Sequence, residues 1–369
     1  MQTEHRIADC SGPTGASVFH LHPLLRCNLT CLHCYSVSSP QATEAIALST
    51  ALAAIDMAAD WGYQVLAISG GEPVLYDGLR SLLERANDRS MRTSIVTNGL
   101  LIRRMGALGT LRMAHTVCVS IDGLAKSHDQ MRARRGAFTG VRSAVCTLAD
   151  SGLPVWVSCG VTTSNIDEIE EVVDEVCQWG ARGINFHPVE KAGRAQRFVS
   201  TDFLNEKERL ILYCVAHLLA HKYARRLEVK VDLLHKDTVI QRPELIYAGA
   251  EANTDETTPP SKLLGVLVLE ADGTLSPISH GFSRELSVGH FPFDHSIDAG
   301  LAWAQFMKRQ YPELRRAGRS LLAELERWPD ARVLNPNEAL LIHAKGPSSL
   351  IPLRVNLTER MRAAAADFI

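Results

Sequence analysis

Arg26-Cys27-Asn28-Leu29-Thr30-Cys31-Leu32-His33-Cys34-Tyr35-Ser36 is the stretch on which the reading of this chain turns. Three thiols fall within eight residues, with three residues between the first pair and two between the second. Thiolates at such spacing converge on one soft metal centre. Zinc ordinarily takes paired CxxC units plus a fourth ligand. His33 is the nearest candidate fourth ligand, but it sits between Cys31 and Cys34, where its ring would have to double back. A set of three thiolates suits a 4Fe–4S cluster that leaves one iron open to an outside ligand. The bland alternative, three core cysteines, fits poorly with a polar loop.

The other cysteines sharpen the contrast. The chain has nine, at 10, 27, 31, 34, 118, 146, 159, 177 and 214, and none follows Cys214. An odd, irregular set without an export signal argues against a disulfide framework. Lys plus Arg number 39 against 41 Asp plus Glu, a formal net charge of -2, which excludes a broad nucleic-acid surface. The opening MQTEHRIADCSG has no basic region followed by an apolar one, and no apolar run reaches the roughly eighteen residues of a membrane span. The expectation is a cytoplasmic protein with neither membrane nor nucleic acid as partner.

Outward from the thiols, apolar strand runs alternate with helical periodicity. Strands are expected at 18–25, 64–69, 92–97, 115–121, 154–161 and 181–187. Helical pieces are expected at 48–60, 76–87, 100–109, 139–150, 166–179 and 203–222. Six strand-then-helix units argue for a parallel sheet with helices outside it, either doubly wound or an incomplete barrel. In both, the active site lies at the carboxyl ends of the strands. The polar signatures gather there: Gly70-Gly71-Glu72-Pro73, Thr97-Asn98-Gly99 and Ser120-Ile121-Asp122-Gly123. From about 249 the chain turns polar and Pro-rich. LLGVLVLEADGTLSP then reads as a hairpin about Asp272-Gly273, with helical segments near 298–309 and 312–327 and a helical C-terminal tail.

CNLTCLHCY resembles the CxxxCxxC signature of the radical S-adenosylmethionine (radical SAM) enzymes, and GGEP resembles their methionine-binding turn. The resemblance implies an α/β fold: a partial (β/α)6 barrel over 18–239, after an N-terminal extension 1–17 and before a smaller mixed α+β region 240–369. It implies that Cys27, Cys31 and Cys34 hold one 4Fe–4S cluster whose open iron takes S-adenosyl-L-methionine (SAM). Reductive cleavage of SAM would then yield a 5'-deoxyadenosyl radical. Tyr35, Gly70, Gly71, Glu72, Pro73, Asn98, Ser120, Asp122 and Arg134 are the expected SAM contacts. Ser158 and Thr162 are weaker candidates, and Arg135 is not separable from Arg134. Cys159 and Cys118 are candidate hydrogen-atom donors inside the barrel.

VSIDG with the following Lys126–Phe138 stretch, and Gly193-Arg194-Ala195, resemble the peptide-modifying branch that carries a SPASM or twitch extension. That branch would place an auxiliary-cluster cysteine after Pro277, where this chain has Ile278. The expectation is therefore one cluster and a degenerate extension. His280, His290 and His295 form only a loose group. The implied partners are a ribosomally made precursor peptide and an external electron donor such as flavodoxin or ferredoxin. The implied outcome is C–H abstraction leading to a crosslink or an epimer. A small-molecule substrate (a sugar, an antibiotic or a cofactor intermediate) is the alternative.

Overall fold

The computed structural model describes residues 15–103, 106–198, 203–246, 257–278, 284–294, 298–328 and 332–345. Cys10, His280, His295 and the expected helical tail lie outside them. Seven strands follow one another in space as in sequence: β1 (Val18–Leu21), β2 (Val65–Ile68), β3 (Arg92–Thr97), β4 (Thr116–Ile121), β5 (Val155–Val161), β6 (Gly183–Pro188) and β7 (Glu228–Val231). Every neighbouring pair among them is parallel. The connections carry α1 (Leu48–Asp60), α2 (Leu79–Asp88), α3 (Ala125–Met131), α4 (Ala137–Asp150), α5 (Ile169–Gln178) and α6 (Glu206–Tyr223). This is an α/β partial barrel with a small C-terminal region attached.

Alternation along the strands builds two layers. Val117, Val119 and Ile121 of β4, and Val155, Val157, Cys159 and Val161 of β5, turn outward into one continuous core with the helices. Ala51, Ala54, Ile55 and Ala58 meet that core from α1, and Val172, Val173 and Val176 meet it from α5. Apolar spacing of three and four is what makes those segments helices. Glu170 and Glu171 stand in the first turn of α5, where the helix dipole favours negative charge. Asn205 and Glu208 exchange reciprocal side-chain bonds that fix the start of α6.

β8 (Val266–Leu269) and β9 (Thr274–Pro277) form the expected hairpin about Asp272-Gly273. β8 lies parallel against β1, so the hairpin extends the barrel sheet to ten strands, with Gly289–His290 at the edge. α7 (Ala299–Arg309) and α8 (Tyr311–Leu325) dock on the helix layer, where Trp303 packs on Trp61 at 5.8 Å between ring centres. The Tyr63 hydroxyl donates to Leu264 O at 3.0 Å. Two features depart from the sequence reading, and a third adds to it. β7 is a seventh parallel strand. The helix expected at 100–109 is reduced to turns and the single turn Leu108–Leu111 among the described residues. Ile278, at the position of the absent cysteine, is buried with φ +72°.

Candidate active site

A cavity of about 180 Å³ opens at the carboxyl ends of the strands. Cys27, Cys31 and Cys34 line it, as do Tyr35, Gly70, Gly71, Glu72, Asn98, Ser120 and Asp122. Contributions from the ends of β2 to β6 to one space show that the sheet curls round it. Among the described residues no three His, Cys, Asp or Glu side chains close around a single ion. Cys27, Cys31 and Cys34 all line the cavity and pack with Leu29 and Leu100. They are free thiols. Burial and the nearby charge of Glu72 push Cys27 up to about 12. A metal cluster must therefore displace its proton. The donor set, three thiols and no fourth side-chain ligand, fits a 4Fe–4S cluster with one open iron.

The cluster loop is held from the far side of the barrel. After β6 the chain turns through Gly193, at φ +56°, so close to the loop that a Cβ would overlap the carbonyl oxygens of Cys34 and Tyr35. Arg194 N donates to Cys34 O at 2.9 Å. The Arg194 Nε donates to Cys31 O, and Nη2 to Ser38 O, both at 2.8 Å. This buried guanidinium ties both ends of the thiol loop to β6.

Gly71 lies under the loop, where a Cβ would overlap Arg26 O. The next residue, Glu72, is buried and accepts from the Thr97 hydroxyl at 2.7 Å, from Asn98 N at 2.9 Å and from Val74 N at 3.3 Å. Burial nonetheless holds its pKa above the usual carboxylate range, so an incoming ammonium would find a carboxylate poised to ionise. Asn98 Nδ2 donates to Asn28 Oδ1 at 2.8 Å and approaches Cys27 Sγ at 3.8 Å. Pro73 starts a short 3₁₀ turn behind Glu72 and does not line the cavity.

Asp122 is buried beside Arg132, whose Nε stands 2.5 Å from Asp122 Oδ2 without its N–H aligned on the oxygen. Arg132 Nη1 donates to Cys31 Sγ at 3.8 Å. Burial opposes both charges, but each outweighs that for the other: Asp122 sits below the usual range and Arg132 above it. His33 Nε2 is 3.5 Å from Asp122 Oδ1, and burial pushes His33 down to about 4. The Asp122 N–H donates to His128 Nδ1 at 3.0 Å, and burial brings His128 to about 4 as well.

The structure sets several of the expected site residues apart from the cavity wall. Arg134 is exposed and outside the cavity; the buried arginine of the basic run is Arg132. The chain leaves α3 through Ala133 at φ +50°, which turns Arg134 and Arg135 to solvent. Cys159 points into the helix-packed core, because its neighbours Ser158 and Gly160 take the cavity face of β5. Cys118 is fully buried and alternates with Ser120 toward the barrel side, below the cavity rather than in its wall. Thr162 bonds its own turn through Asn165.

Sequence reading passed over His20, His22 and Glu270. Glu270, at the end of β8, receives His22 Nδ1 at 2.7 Å. His22 Nε2 meets the Tyr35 hydroxyl at 3.3 Å, which reaches Ser69 Oγ at 3.1 Å, and His20 Nε2 meets the same Ser69 at 2.7 Å. The His-x-His alternation on β1 was the available signal.

Residues 22–176 match the family described as the Radical SAM superfamily. The chain is 28% identical over 197 residues to the antilisterial bacteriocin subtilosin biosynthesis protein AlbA of Bacillus subtilis (strain 168), covering 53% of this chain and 44% of that protein. It is 26% identical over 287 residues to the Fe-coproporphyrin III synthase of Methanosarcina barkeri (strain Fusaro / DSM 804), covering 76% of this chain and 67% of that one. The match to AlbA thus spans less than half of that relative's length. The fold is shared with Streptococcus suis SuiB bound to S-adenosylmethionine, with TM-score 0.61, 15% identity, and coverage of 81% of this chain and 68% of that one. The match to the Radical SAM superfamily thus covers residues 22–176, and the curled parallel sheet with three thiols at its carboxyl end agrees with it.

Proposed function

We propose that this chain is a radical SAM enzyme that acts on a ribosomally synthesised peptide, removing a hydrogen atom from a C–H bond on the way to a crosslink or an epimer. The observation that carries the reading is the pair of hydrogen-bonding side chains that β5 and β6 present to the cavity. Ser158 of β5 and His187 of β6 face the cavity, 3.4 Å from one another and apart from the residues assigned below to the cluster and to SAM. Their hydroxyl and ring nitrogens can hydrogen-bond peptide amides and polar side chains. AlbA is named for bacteriocin biosynthesis, which supports the same class. The longer alignment with an Fe-coproporphyrin III synthase favours the second reading, a small-molecule substrate.

Cys27, Cys31 and Cys34 would hold a single 4Fe–4S cluster, and Gly70, Gly71 and Glu72 would orient the methionyl end of SAM. When bound, the pair supplies a 5'-deoxyadenosyl radical. The protein's share is position and exclusion of competing reactions. Asn98, Ser120 and Asp122 would fix the rest of SAM, with Tyr35 fixed beside it by His22 and Ser69. A flavodoxin or ferredoxin would deliver the electron. Residues 240–369 would form a degenerate twitch-like region, whose hairpin β8–β9 extends the sheet. Among the described residues no helix is long and apolar enough to cross a membrane.

The test is anaerobic reconstitution with SAM and a strong reductant, then incubation with candidate precursor peptides sought in the neighbouring genes and, separately, with candidate small molecules. The expected result is 5'-deoxyadenosine together with loss of two hydrogens from the peptide or uptake of solvent deuterium. An unchanged peptide, with 5'-deoxyadenosine appearing only alongside a small molecule, overturns the peptide reading.

A further inference from the structure

The pair Arg132–Asp122 does not simply bury two charges beside a cavity. It is oriented. The guanidinium lies between the carboxylate and a ligand sulfur, with Nη1 3.8 Å from Cys31 Sγ and Nε 2.5 Å from Asp122 Oδ2. Both residues are buried, with Arg132 8% and Asp122 1% exposed. Charges so placed are weakly screened by salt and act at low effective dielectric. Three histidines also face Asp122: His33 Nε2 at 3.5 Å from Oδ1, His128, whose Nδ1 accepts the Asp122 N–H at 3.0 Å, and His187, but Arg132 alone bridges the carboxylate and the sulfur.

We infer that Arg132 and Asp122 form a charge pair that sets the reduction potential of the cluster held by Cys31, with Arg132 raising it and Asp122 limiting the rise. The inference rests on the cluster reading of the three thiols. Reduction adds one negative charge next to Cys31. A cation donating to that sulfur stabilises the reduced form, and hydrogen bonds to cluster sulfurs and local charge are the protein's levers on such potentials. Without Arg132, Asp122 faces the sulfur as an unbalanced anion, and reduction becomes harder. Without the carboxylate, Arg132 acts as a full cation, and reduction becomes easier. The two removals must therefore act in opposite directions, which loss of packing alone cannot produce.

The experiment is an EPR-monitored redox titration of the reconstituted full chain without SAM, on wild type, R132Q, R132K and D122N, with iron counted in each sample. At a fixed poise, R132Q is expected to lower the ratio of reduced to oxidised cluster at least tenfold, about 59 mV for one electron. D122N is expected to raise it by a similar factor, and R132K to stay within threefold of wild type. Shifts of the same sign in R132Q and D122N, or no shift in fully loaded samples, overturn the inference. If R132Q takes up no cluster, D122N and R132K decide: a D122N potential that fails to rise is equally fatal. Wild type that binds no iron would refute the cluster reading itself, which keeps the two failures apart.

Discussion

Replacing Arg194 by Gln should free the thiol loop without unfolding the barrel. The side chain makes two charged hydrogen bonds to buried-loop carbonyls, Cys31 O and Ser38 O, each at 2.8 Å. Bonds to a charged donor are worth about 1.5–3 kcal/mol each, so the pair contributes about 3–6 kcal/mol to loop closure. Burying the guanidinium, whose Nη1 has no protein partner, takes part of that back, leaving about 3 kcal/mol. Each 1.4 kcal/mol is a factor of ten, so the loop of the variant should open about a hundred times more often. Alkylation of apo protein, followed residue by residue by mass spectrometry, reads this directly. Cys27 and Cys31 are buried, and Cys214 is exposed and serves as the internal standard. The variant should label Cys27 and Cys31 about a hundredfold faster at an unchanged rate for Cys214. Labelling of the loop thiols within threefold of wild type would refute the clamp, whatever the effect on activity.

Three further outcomes follow from the packing and charges described above. His128 titrates near 4 in the fold against an ordinary 6.5, so the unfolded chain takes up the proton first. Its contribution is complete above pH 6.5 and is lost as the pH falls toward 4, about 3 kcal/mol in all; H128Q should flatten that part of a urea-midpoint-against-pH curve. Glu72→Gln keeps the size of the side chain but removes the carboxylate that would meet the methionyl ammonium, and should weaken SAM binding at least tenfold by calorimetry while iron loading stays at the wild-type value. Trp303→Ala removes the ring that packs on Trp61 and Phe306 and should cost about 3–5 kcal/mol; limited proteolysis should then release the C-terminal helices before the barrel is cut.

The barrel was legible because its strands are apolar runs that end in polar or glycine-rich turns, and those turns are where β2, β3 and β4 meet the cavity. β7 escaped because EVKV is short, charged at alternate positions and at the edge of the parallel array, which leaves little hydrophobic signal. Which face Cys159 takes could not be read from VSCG. A strand buried on both faces has no apolar–polar alternation to set its parity, and a one-residue shift exchanges inside for outside. Arg132 and Arg134 differ for another reason. The helix end and the left-handed Ala133 between them decide which one is buried, and neither carries a sequence signature. Arg194 was visible inside Gly193–Ala195, but its partners are 163 and 156 residues away along the chain.

The hairpin β8–β9 shows what a cysteine-free extension does in this fold. Ile278 stands at the position of the expected cysteine, and its N–H donates to Val266 O at 2.8 Å to close the hairpin. A β-branched residue at φ +72° is unfavourable, and burial of its side chain in the main core is the compensation the structure offers. The residue therefore ends the hairpin by packing rather than by ligation. The same hairpin holds β8 in register with β1, Val266 opposite Val18 and Leu269 opposite Leu21. That register carries Glu270 past the end of β1 to His22, and through His22 to Tyr35, the residue directly after the third thiol. A slip of one residue in β8 would turn Glu270 to the other face and leave His22 Nδ1 without this carboxylate. Packing at Ile278 and order at Tyr35 are thus linked through a single strand.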